Sequence, residues 1–238
     1  MIRTLAVLLA LAAPASAETW RIGTEADYAP YIFRDARGKL TGMDHELGQI
    51  ICARAAVQCV WMETPFGSLF ADLGAGRFDI VMAGIGETPS RTVHADFSTP
   101  YFDNGSNWGM FVALSPGVSP DLVVIGVQEG TTYADWLAST GRAVQPYSSN
   151  EDALQALLRR EIEAVFLSSS YYQHAFETDW PQLRLIGSEE FPTAGTSVAV
   201  RKDKTDILDR INAILNELQA DGTIQSLQDK WFVEGEPV

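Results

Sequence analysis

The residue types suited to gripping an anion concentrate in residues 79–101 of the 238-residue chain. Asp79, Ile80, Val81 and Met82 form a short apolar run that reads as a buried strand. The small-residue turn Ala83, Gly84, Ile85, Gly86 follows, then Thr88-Pro89, a hydroxyl N-cap with proline at the first helical position and Arg91 one turn further in. A strand feeding a helix N-terminus points free backbone N–H groups out of the sheet edge. A guanidinium beside them can hold both oxygens of a carboxylate. The same residues also suit an ordinary strand–turn–helix with a surface arginine. Gly130-Thr131-Thr132 repeats the theme, offering backbone donors at a second helix start. Alone, such a triplet is usually just a cap.

The remaining reactive side chains are sparse. His45, His94 and His174 are scattered and suggest no metal cluster, and no cofactor is expected. Residues 1–17 carry one arginine, an apolar run over 5–13 and the small-residue box Ala15-Ser16-Ala17, the pattern of a cleaved secretory signal. The run is too short for a stable bilayer anchor, and no cysteine stands at the cut for a lipid. A soluble protein outside the cytoplasm, in a bacterial periplasm, is the expectation. In that oxidising compartment, the lone pair Cys52 and Cys59 favours a disulfide over a metal site. A net charge of −14 argues against nucleic acid, which needs Lys and Arg to displace counterions.

The periodicities place these residues on an α/β scaffold. Strands are expected at 20–23, 60–62 and 79–82, with an aromatic loop at 25–31 and helices beginning near Gly42 and Phe66. This β-α-β-α-β order calls for a mostly parallel sheet. An apolar strand at 107–114 leads to a second, smaller unit over about 115–195: strands at 123–127 and 164–167, a helix at 133–139, and a helix to Leu158 capped by a Ser148-x-x-Glu151 box. The chain returns at 197–200 and ends in helices around 207–218 and 225–232. One unit inserted between halves of another implies two crossing strands, placed near 108–113 and 196–201, and a hinge between the units. The expected division is a signal at 1–17, a first lobe at 18–110 and 199–238, and a second lobe at 111–198.

The wording of residues 79–101 resembles the polar amino-acid binding proteins of ABC importers, the family 3 solute-binding proteins. The pattern D-x-I-x-x-G-M-S-I-T-P-E-R … F-S-x-P-Y is met by Asp79, Gly84, Thr88, Pro89, Arg91, Phe97, Ser98, Pro100 and Tyr101. A C-terminal signature is met by Arg201, Lys202, Ala220, Asp221, Gly222, Thr223, Leu227, Lys230, Trp231 and Phe232, so the resemblance spans nearly the whole mature chain. It implies two Rossmann-like lobes joined by a two-strand hinge, with a ligand cleft between them. It also implies a membrane ABC permease as partner, and a monomer is the default. Arg91 and the amides of Gly130, Thr131 and Thr132 would hold one carboxylate from opposite lobes. Tyr28 matches the tyrosine that lies over the ligand, although a loop aromatic could simply cover the sheet edge. Phe66 suits a wall beside it or the core. Ala83, Gly84, Gly86 and Ser168 complete the ligand set, and some members carry a cysteine pair where Cys52 and Cys59 stand.

The departures from that pattern are informative. Gly86 stands where a Ser or Thr is usual, Glu87 where Ile is usual, and Ser168 where an Asp usually holds an α-ammonium. A serine accepts a hydrogen bond but supplies no charge. Two readings follow. Glu25, at the position where histidine- and arginine-type binders keep an acid, or Glu87 replaces the lost charge and the ligand is an amino acid; or the ligand is a carboxylate without an α-amine. Glu87 would equally serve as a solvent-facing carboxylate. The expected function is a periplasmic substrate-binding protein, not an enzyme, that closes around a small carboxylate, foremost an amino acid. The alternatives are a soluble helper of a periplasmic dehydrogenase and a dehydratase-like enzyme, which would need a general acid in the cleft.

Overall fold

The computed structural model describes residues 18–103 and 106–232. The expected signal at 1–17 lies outside the described residues, and no described helix is long and apolar enough to cross a membrane. In chain order, β1 (Thr19–Thr24), the short strands β2 (Asp27–Tyr28), β3 (Ile32–Arg34) and β4 (Leu40–Thr41), α1 (Met43–Arg54), β5 (Gln58–Glu63), α2 (Leu69–Gly74), β6 (Ile80–Val81) and β7 (Ala95–Phe97) come first. Next come β8 (Ser106–Ala113), β9 (Ile125–Gln128), α3 (Thr132–Ser139), β10 (Val144–Tyr147), α4 (Asn150–Leu158), β11 (Ala164–Ser168), α5 (Ser169–Asp179) and β12 (Arg184–Pro192). The last elements are β13 (Ala199–Arg201), α6 (Thr205–Ala220) and α7 (Thr223–Trp231).

Two five-stranded sheets result, ordered β5-β1-β6-β13-β7 and β10-β9-β11-β8-β12, with β2, β3 and β4 as a separate small sheet. The first pairs β5, β1 and β6 in parallel and adds β13 and β7 antiparallel. The second pairs β10, β9 and β11 in parallel and adds β8 and β12 antiparallel. Successive residues of a strand face opposite sides of its sheet. Thus Ile80 and Met82 pack with Leu47, Ile211 and Leu218 from α1 and α6, while Val81 and Ala83 pack with Phe66, Leu69 and Phe78. In the second sheet, Val165 and Leu167 meet Leu154 and Leu157 of α4, while Ala164 and Phe166 face Leu137 of α3.

The first crossing between the sheets lies away from the position expected at 108–113, whereas the second, between β12 and β13, overlaps the start of the 196–201 stretch expected for it. All of β8 pairs within the second sheet and all of β13 within the first, so the chain crosses before 106 and again between β12 and β13. The crossings touch each other: Phe102 and Thr196 form an antiparallel bridge, with Thr196 N donating to Phe102 O at 2.6 Å. The strand expected at 108–113 as a hinge is therefore an interior strand of the second sheet, shielded by β11 and β12 on either side.

Cys52, in the last turn of α1, is joined to Cys59 of β5 by a disulfide. It ties the helix to the edge strand of the first sheet, and neither cysteine lines the cavity between the sheets. The loop it closes is short, so replacing both cysteines by serine is expected to cost roughly 2–3 kcal/mol in chemical denaturation while leaving ligand affinity unchanged. A loss of affinity would show that the bridge shapes the site.

Candidate functional site

Between the sheets lies a cavity of about 130 Å³. Arg91 forms its charged end. No α-helix starts at Thr88-Pro89: the chain makes a single 3-10 turn, Arg91–Val93, before β7 begins. Thr88 still ends the turn's backbone, its carbonyl accepting from the amides of Arg91 and Thr92, both at 3.0 Å, and its hydroxyl from Arg91 N at 3.3 Å. Arg91 is only 6% exposed. It donates to Gly86 O at 2.8 Å and, across the cleft, to Gly130 O at 3.1 Å. It lies 5.5 Å from the ring centre of Phe66 and 5.0 Å from that of Phe70. Among the described residues, no carboxylate comes within salt-bridge distance of it. Burial pulls its pKa down to about 10, against the weak opposing pull of Asp135.

The wall opposite comes from the second sheet. Thr131 is the N-cap of α3: its hydroxyl accepts from Ala134 N at 3.1 Å and donates to Gln128 O at 2.8 Å. The first amides of a helix have no carbonyl partner inside it, and Thr131 and Thr132, at the start of α3, both line the cavity. Gly130 contributes through its carbonyl to Arg91 rather than by lining the cavity. Ser168 caps α5, its hydroxyl accepting from Tyr171 N at 3.1 Å and pairing with Ser170 Oγ at 3.2 Å. The Tyr28 hydroxyl faces those of Ser168, Ser170 and Tyr133, and its ring stacks on Tyr31 at 5.2 Å.

Glu25 also lines the cavity. The residue is 5% exposed, one carboxylate oxygen accepts from Gln128 Nε2 at 2.7 Å, and the other, Oε1, has no partner among the described residues. Gln128 in turn accepts from Asn150 Nδ2 at 3.2 Å, so a chain of three side chains links the two lobes. Burial pushes Glu25 up to about 8, with Asp27 adding to the rise.

Gly86 and Gly84 are glycines for identifiable reasons. A Cβ on Gly86 would lie 2.5 Å from Gly195 O, a backbone atom of the second crossing, so no hydroxyl side chain fits there. Gly84 has φ +61°, and a Cβ on it would strike the Tyr28 ring at 2.5 Å. Its amide donates to the buried Asp44 carboxylate at 2.6 Å, which also accepts from Tyr101 OH at 2.6 Å.

Glu25, Tyr28, Phe66, Gly84, Gly86, Arg91, Thr131, Thr132 and Ser168 thus gather around one cavity, and Glu87 joins them as an exposed lining residue. Ala83 does not: it is fully buried in the first sheet's core, because it shares the inward face of Val81. Gln128, Asn150, Tyr133 and Ser170 were not anticipated. Gln128 had one sequence signal, a polar residue ending the strand IGVQ two positions before Gly130-Thr131-Thr132.

A further contact between the lobes lies beside the cavity. The Asp27 carboxylate accepts from Glu151 N, at the start of α4, at 3.1 Å and from Tyr171 OH at 3.4 Å. The Phe33 ring lies 4.9 Å from that of His174. Burial raises Asp27 to about 6.

Residues 20–234 match the profile described as bacterial extracellular solute-binding proteins, family 3. The chain belongs to that family. This solute-binding protein is 31% identical, over 91% of its length and 92% of the relative's, to the putative ABC transporter arginine-binding protein 2 of Escherichia coli K12. It is 30% identical to the L-cystine-binding protein TcyJ of the same strain, over 90% of its own length and 82% of the relative's. Among solved structures, a Salmonella typhimurium periplasmic binding protein of high arginine specificity superposes with TM-score 0.83 at 29% identity, covering 91% of this chain and 100% of that one. A Silicibacter pomeroyi binding protein of the His/Glu/Gln/Arg/opine family, in complex with lysine, gives TM-score 0.82 at 28% identity over 92% and 99%.

Proposed function

We propose that the protein is the periplasmic substrate-binding component of an ABC importer and closes on a small carboxylate of the amino-acid class. The observation that carries this is Arg91: a buried guanidinium without a counter-ion among the described residues, bonded to carbonyls of both lobes. A ligand carboxylate supplies the missing anion, and its contacts with both walls favour the closed state over the open one. The amino-acid ligands of the relatives support the reading, as does the α3 N-terminus beside Arg91. The protein would act as a monomer with a membrane permease, and as a carrier rather than a catalyst.

A thermal-shift screen of residues 18–238 tests it. Amino acids are compared with matched carboxylates lacking the amine, each well above its expected dissociation constant. A bound ligand raises the melting point by mass action. No shift with any carboxylate would overturn the transport reading.

A further inference from the structure

A charged residue outside the cavity bears on it, resting on the ligand-binding reading above. Asp44, in the first turn of α1, is fully buried, and among the described residues no cation lies within salt-bridge distance of it. A buried carboxylate is costly unless its oxygens are hydrogen-bonded. Here Oδ2 accepts from Gly84 N and Oδ1 from Tyr101 OH, both at 2.6 Å. The backbone at the same place holds a third segment: Met43 N donates to Pro30 O at 3.0 Å and Asp44 N to Tyr31 O at 2.8 Å.

Asp44 does not line the cavity, but what it holds does. Tyr31 and Gly84 are lining residues, and Tyr28 lies against both: its ring stacks on Tyr31, and a Cβ on Gly84 would strike it. Gly84 leads into Gly86, whose carbonyl accepts from Arg91. Tyr101 directly precedes Phe102, which lines the cavity and bridges Thr196 of the second crossing. The Tyr101 backbone joins the same contact, its N donating to Thr196 O at 2.9 Å. One residue thus ties together the turn that holds Arg91, the loop that carries Tyr28 and the root of the first crossing. A binding site tolerates displacements of only about 0.5 Å in its contact groups, so what locks those groups from behind decides whether they work.

Burial raises the Asp44 carboxyl to about 6 against the pull of both bonds, so its surroundings do not favour the charge. What they use is two acceptor positions. We propose that Asp44 is a positioning residue for ligand binding, whose hydrogen bonds rather than charge keep the turn at 84–86 in register with the first crossing, so that closure brings Gly130 and Thr131 to Arg91 correctly placed.

Titration calorimetry on the parent with L-arginine, L-lysine, L-histidine, L-glutamine and L-cystine selects the probe. Its affinity is then measured for Asp44→Asn and Asp44→Ala, well below their melting temperatures. In Asp44→Asn the side-chain oxygen can accept from Gly84 N, and the amide nitrogen can donate to the Tyr101 hydroxyl, which accepts as readily as it donates. Asp44→Ala offers neither bond. Asp44→Asn should bind within about threefold of the parent, and Asp44→Ala about tenfold or more weaker. A smaller loss in Asp44→Ala, however far its melting temperature falls, makes Asp44 a staple of the fold alone and overturns the inference. Asp44→Asn as weak as Asp44→Ala assigns the role to the charge and overturns it too. If Asp44→Ala does not fold, Tyr101→Phe decides, because it keeps the ring and removes one bond: a loss of about threefold or more is expected, and a smaller one overturns the inference. If none of the five amino acids binds the parent, the amino-acid reading itself fails and the inference falls with it.

Discussion

Arg91→Ala should weaken ligand binding by roughly tenfold or more, measured by titration calorimetry, because a charge-assisted hydrogen bond contributes about 1.5–3 kcal/mol. The loss extends past the ligand contact. The guanidinium bridges Gly86 O and Gly130 O, so its removal also releases the lobes from each other and strips two carbonyls of a donor. Arg91→Met should separate binding from stability. A buried cation without a counter-ion is a cost to the unliganded fold, and an apolar side chain of similar length between Phe66 and Phe70 relieves it. The expected pattern is an unliganded melting temperature equal to or above that of the parent, with affinity lost. A variant that binds as before would remove Arg91 from the site.

The second large effect is on closure of the empty cleft. In the closed structure, burial lifts Glu25 to about 8, whereas an open, water-filled cleft leaves a glutamate near its ordinary value of about 4.3. The closed state therefore holds the proton more tightly. Below the open-state value both forms are protonated and pH does not matter. As pH rises from there towards 8, closure becomes harder by up to about tenfold per unit, and above 8 the penalty stays constant. The groups facing Glu25 are Gln128, which opposes the shift by hydrogen bonding, and Asp27, which adds to it. Asp27, itself raised to about 6 by burial, acts in the same direction over its own narrower range. Small-angle scattering of the unliganded protein should show a more compact particle at pH 5 than at pH 8, with Glu25→Gln flattening most of the difference. Compaction on raising the pH would contradict the assignment.

What could be read from the chain follows the range of the interactions. The strands around Ile80, Ile125 and Val165 and the helix from Thr205 to Ala220 are periodic apolar segments, legible within a window of a dozen residues. The helix inferred at Thr88-Pro89 obeys the same local rule, yet β7 follows so soon that only one turn fits. The capping box was displaced by one residue: Ser149 caps α4, accepting from Asp152 N, while Ser148 bonds the Asp152 carboxylate, and adjacent serines give no local basis for choosing. Helix α5 and strand β12 were not anticipated. The sequence SSYYQHAFETD has weak helical periodicity, and β12 owes its extended form to pairing with β8. The bond from Gln128 to Glu25 joins residues 103 apart in the chain, and the clash of Gly86 with Gly195 O joins two loops. Neither leaves a trace in spacing, although both decide what the cavity can hold.

The Asp27 contact with Glu151 N and Tyr171 OH has a kinetic meaning. None of these three residues lines the cavity, so the contact forms and breaks without touching whatever is inside. It must nonetheless break before the lobes part. Residence time thereby depends on atoms outside the cavity as well as on those that line it. The dwell of a captured molecule can change through the Asp27 contact, by substitution or by protonation, without any change in the side chains that touch it.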